Sequence, residues 1–132
     1  MNVRTLLSVY AALVGIGGLI WLIAPTQSLG LYGVTPPDPV AVLLARYAGT
    51  MLIALGIMAW IGRSATASPA RSALVLGITV ANALGAVVCL LGALSPALNA
   101  VAWVPTASYA LFTVLFVITA QTSMAEKPAV TG

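Results

Sequence analysis

Few side chains in this sequence can do chemistry, and their positions keep them apart. Histidine is absent. That removes the commonest zinc ligand, the usual haem ligand and the default general base. Cys89 stands alone, so neither an intrachain disulfide nor a CxxC redox pair can form. Asp38 and Glu126 are the only acids, and both lie outside the apolar runs. No carboxylate pair is therefore available for a metal or for acid–base work. Ser8, Ser108, Tyr10, Tyr47 and Tyr109 carry hydroxyls with no base to activate them. The expectation is a protein that is not an enzyme, with no catalytic residue, no metal and no cofactor. Arg46, Asp38 and Asn82 remain as candidate contacts for a ligand or a partner.

The elements that must position these residues follow from composition. The chain has 132 residues, enough for one domain. Hydrophobic residues make up 61% and charged residues 5%. Mean hydropathy is +1.12. Seven charges cannot clothe a soluble domain, and the composition is that of a membrane protein. Four apolar runs are long enough to cross a bilayer, at about 5–24, 40–61, 73–94 and 101–120. They lack period-two alternation, which argues against a membrane barrel. The fold expected is all-α, a transmembrane four-helix bundle over 1–121, with a polar, disordered tail over 122–132. The first run is longer than a signal-peptide core and no A-x-A-like site follows it, so it reads as a retained span.

Net charge is +3. Arg4, Arg63, Arg71 and Lys127 all fall on one side if the chain crosses four times, while Asp38 falls on the other. The positive-inside rule then places both termini in the cytoplasm. The basic residues are scattered and read as orientation signals, with no nucleic-acid partner implied.

Arg46 lies about two turns, roughly 10 Å, inside the second span. It has two readings. It faces the bundle and binds an anionic group, or it snorkels outward past its own helix toward Asp38. Asp38 is a suitable N-cap for that span, with Pro39 at the first helical position. Asn82 lies mid-span and must find a hydrogen-bond partner, with Thr50, Thr79, Thr113 or a backbone carbonyl as candidates. The connection before span two contains Leu29, Leu31, Tyr32 and Val34 between Gly30 and Gly33. It is expected to lie along the membrane surface, as a lid over the bundle or as a linker resting on lipid.

Span three carries small residues every four positions: Ala73, Gly77, Ala81, Gly85, Cys89 and Ala93. Such a stripe allows close helix packing. It drifts about 40° per step, so two neighbouring helices are expected to share it. Gly15, Gly17 and Gly18 allow close packing in span one. Trp21, Trp60 and Trp103 fall near span ends and read as interface anchors. Pro105 either opens span four or kinks it.

Span two reads Ala45-Arg46-Tyr47-Ala48-Gly49-Thr50-Met51-Leu52-Ile53-Ala54-Leu55-Gly56-Ile57. This run, and the apolar span, Pro25 and Leu29-Gly30-Leu31 before it, resemble small uncharacterised bacterial four-helix membrane proteins near the DoxX-like group. Leu43 and Leu44 stand where many such proteins carry an acid before the arginine. The resemblance implies a four-span fold in the bacterial inner (cytoplasmic) membrane, and no reaction.

Two functions are compatible with these residues. One is a packing or accessory subunit, as a homo-oligomer or within a larger membrane complex. The other is a binder or carrier of a lipid, quinone or other lipophilic small molecule. Membrane lipids are expected partners in either case.

Overall fold

The computed structural model describes residues 2–125. Five α-helices follow one another: α1 (Val3–Ile23), α2 (Pro25–Leu31), α3 (Pro39–Gly62), α4 (Pro69–Leu94) and α5 (Trp103–Ala125). A 3-10 turn, Ala100–Ala102, leads into α5. No strand occurs among the described residues. Four of the helical segments are long and apolar enough to cross a membrane. The expected all-helical, four-span architecture is the one observed.

Local chemistry sets the helix starts. Asn2 caps α1, its Oδ1 accepting from the Thr5 amide at 2.8 Å. Asp38 caps α3, with Oδ1 accepting from the amides of Val40 and Ala41 at 2.8 and 2.9 Å. Ser68 caps α4 through the Arg71 amide, and Pro69 takes the first helical position. That cap starts α4 four residues before the apolar run at Ala73. Asn99 accepts from the Val101 amide and opens the turn before α5. Pro105 lies in the first turn of α5, where its missing N–H costs no helical bond. Residues 122–125, expected in the tail, continue α5. The rest of the expected tail lies outside the described residues.

The helices associate as two pairs. Antiparallel α1 and α3 form the tighter pair, and α4 and α5 form the other. The α1–α3 contact is a meeting of backbones. A β-carbon at Gly49 would lie 2.7 Å from both the Gly18 carbonyl oxygen and the Leu22 amide nitrogen. One at Gly18 would lie 2.8 Å from the Gly49 carbonyl oxygen. One at Gly56 would meet the Gly15 backbone at 3.1 Å. Only glycine permits this approach.

The stripe on α4 is placed differently from expectation. Ala73 and Gly77 face outward, and nothing lies within 4 Å of a β-carbon at Gly77. Gly85 faces α5, where the Tyr109 ring fills the space at 3.0 Å. The drift of a strict four-residue repeat carries Ala73 and Gly77 away from any neighbour. A second helix does not cover these two residues.

Where the pairs meet at the end where α1 begins and α5 finishes, the core is dense. Leu6, Leu7 and Tyr10 of α1 pack with Ala59, Val75, Ile78, Phe112 and Phe116. Tyr10 is fully buried. Its ring stands edge-on to Phe112 at 5.0 Å and to Phe116 at 5.3 Å, the favoured aromatic geometry. At this end Arg63 lies over the Trp60 ring at 3.3 Å and reaches the Ser8 hydroxyl at 3.4 Å.

Candidate functional site

Toward the opposite end the pairs separate. The gap between them is a cavity of about 650 Å³, within the range of small-molecule sites. It runs along α1 from Leu13 to Trp21, about 12 Å at 1.5 Å per residue. Leu13, Val14 and Gly17 of α1 face Val88, Cys89 and Gly92 of α4 across it. Ala48 and Leu52 contribute from α3, and Pro105, Ser108, Tyr109 and Phe112 from α5. No charged residue lines it among the described residues. Leu13, Val88 and Val104 belong to its walls while more than half exposed, so it is open along the helix flanks.

The α2 segment closes the end of this cavity. The surface connection anticipated between the first two spans is itself a helix. It stops in a Schellman motif: the Gly33 amide donates to the Gly30 carbonyl and the Val34 amide to the Leu29 carbonyl, at 3.0 and 3.2 Å. Gly33 has φ 87°, the left-handed conformation this motif requires. The reversal aims Leu29, Tyr32 and Val34 at the cavity and leaves Leu31 exposed. Asn99 fastens the cap from the α4–α5 connection. Its Nδ2 donates to the Leu31 carbonyl at 2.8 Å and its backbone amide to the Tyr32 carbonyl at 3.0 Å. Burial pushes the Tyr32 phenol above its usual range, so it stays a neutral O–H at physiological pH.

Asn82 forms the floor. It is 1% exposed and lines the cavity from the side of the core. Its Nδ2 donates to the Ile78 carbonyl at 2.7 Å and to the Tyr10 hydroxyl at 3.1 Å. Its Oδ1 is buried without a partner. The threonines considered as partners are engaged elsewhere. Thr50, Thr79 and Thr113 donate to the carbonyls of Tyr47, Val75 and Tyr109 in their own helices.

Of the sequence candidates, Asn82, Gly17, Trp21 and Cys89 are brought together here. Arg46 and Asp38 are not: Arg46 is exposed on α3, and the Asp38 carboxylate serves the α3 cap. Trp21, expected as an interface anchor, is a cavity wall with its ring 5.6 Å from that of Tyr32. Trp60 and Trp103 are about half exposed. Sequence reasoning missed Asn99. Its signal was present, a capping residue before a short apolar turn, but its second role depends on a loop 68 positions away. Comparison with protein-family models, with curated proteins and with solved structures finds no match.

Proposed function

We propose that this chain is a membrane-embedded binder of a neutral lipophilic small molecule. The observation that carries this reading is the uncharged, largely apolar cavity of about 650 Å³ between the helix pairs. Its flanks open where lipid would lie, and its end is closed by a fastened cap. A molecule dissolved in the bilayer enters such a site from the side, without crossing water. The absence of charge among the described wall residues favours a neutral occupant over an anionic head group, and Arg46 has no part in holding it. The basic residues and the DoxX-like resemblance of span two support a bacterial inner membrane, with both termini cytoplasmic.

The test is native mass spectrometry from detergent-free nanodiscs. Wild type is expected to retain a stoichiometric lipophilic molecule. Gly17→Leu, which projects into open cavity space, should lose it, and Arg46→Ala should keep it. A wild-type protein that carries nothing would overturn the reading.

A second reading, a packing or accessory subunit, is favoured by the open small-residue face of α4 at Ala73 and Gly77. Disulfide crosslinking in membranes between copies of a Gly77→Cys variant tests its homo-oligomeric form, and a monomer alone would dismiss that form.

A further inference from the structure

We infer that the cavity selects an occupant bearing a neutral hydrogen-bond donor, such as an alcohol, which it anchors on Oδ1 of Asn82. This rests on the binding reading above and specifies the chemistry of that same site. Both N–H groups of the Asn82 amide are committed, one to the Ile78 carbonyl and one to Tyr10. Rotating the amide by 180° cannot exchange the roles. It would set Oδ1 against the Ile78 carbonyl at 2.7 Å, acceptor against acceptor. Oδ1 is thus the atom left over. It is a pure acceptor, buried, unpartnered and carried by a residue of the cavity floor.

A buried amide oxygen with no donor is costly, and only a ligand or a water can relieve that cost. The hydroxyls of Tyr32 and Tyr109 also belong to the walls, but a phenol donates or accepts and does not discriminate. Asn82 does discriminate. An aliphatic alcohol presents a donor to it, whereas an ether or ester presents a second acceptor. The alcohol's chain then runs along α1 toward Trp21.

The experiment uses the full chain in nanodiscs, with Trp60→Phe and Trp103→Phe leaving Trp21 as the remaining tryptophan. The probes are a bromine-terminated decanol and its methyl ether, compared at equal mole fraction in the lipid. Bromine quenches tryptophan on contact. The expected result is saturable quenching of Trp21, with the alcohol half-saturating at about tenfold lower mole fraction than the ether. Asn82→Leu should abolish the preference while leaving quenching by the ether. The double variant Tyr10→Phe/Asn82→Leu should behave alike, and it leaves no Tyr10 hydroxyl stranded in the core. Equal binding of both probes to the Asn82 protein would overturn the inference and leave the binding reading standing. A preference that persists in both variants would also overturn it. Quenching that never saturates with either probe would remove the binding reading itself.

Discussion

Along the α1–α3 seam, glycines let two backbones touch, and nothing but a hydrogen atom fits between them. Across the cleft between the helix pairs, tyrosine, tryptophan and leucine side chains face a space that none of them fills. Small residues nevertheless recur on both α3 and α4. What differs is register. Ala45, Gly49, Gly56 and Ala59 are spaced by four, seven and three residues, so the seven from Gly49 to Gly56 come close to two full turns and all four stay on one face. The α4 stripe steps by four throughout and rotates off its neighbour. Continuous backbone contact between α1 and α3 follows from the first spacing, and the outward face of α4 at Ala73 and Gly77 from the second.

The largest effect should come from the seam. Gly49→Val forces branched carbons into the Gly18 and Leu22 backbone and should cost about 3 kcal/mol or more. Steric-trap unfolding in bicelles would measure it, and a loss under 1 kcal/mol would show that the backbones are not in contact. Asn99→Ala strips the cap fastening and the turn before α5. A loss of about 1–2 kcal/mol is expected, with faster release of the retained lipophile, read as its residence time in nanodiscs. Tyr10→Phe removes one hydrogen bond of Asn82 and keeps the ring packing against Phe112 and Phe116. It should cost only about 0.6 kcal/mol, the average for such bonds between membrane helices. Gly77→Ala should change sign. With open space around it, alanine gains helix propensity, and stability should hold or rise by up to ~1 kcal/mol. Destabilisation there would mean that another surface covers the α4 face.

Some of the site was legible in the residues. Asn82 had to find a partner because an amide in an apolar span cannot remain bare. Which partner it found was not legible, since Tyr10 is 72 positions away in sequence. The glycines of span one pointed to close packing. The stripe in span three misled because its drift of about 40° per step implied two neighbouring helices, and no second helix stands where the drift carries Ala73 and Gly77. Arg46 drew attention as the one charge inside a span. One turn of the helix decides whether such a residue meets a cavity or faces outward, and hydropathy carries no information about that angle. Trp21 was read from its depth near a span end, which is the same for an anchor and a cavity wall.

The four spans, the Asp38 cap and the absence of histidine, of a second thiol and of a carboxylate pair within the spans were determined by the sequence alone. Apolar length and capping residues act locally, and an absent side chain is absent in any fold. The tertiary structure decided that the helices pair two by two, that α2 folds back as a cap held by Asn99, and that a cavity opens above Asn82. Each of these depends on which faces of separate helices meet. In apolar segments where nearly every face is hydrophobic, that choice is made by the fit of small residues, backbone against backbone.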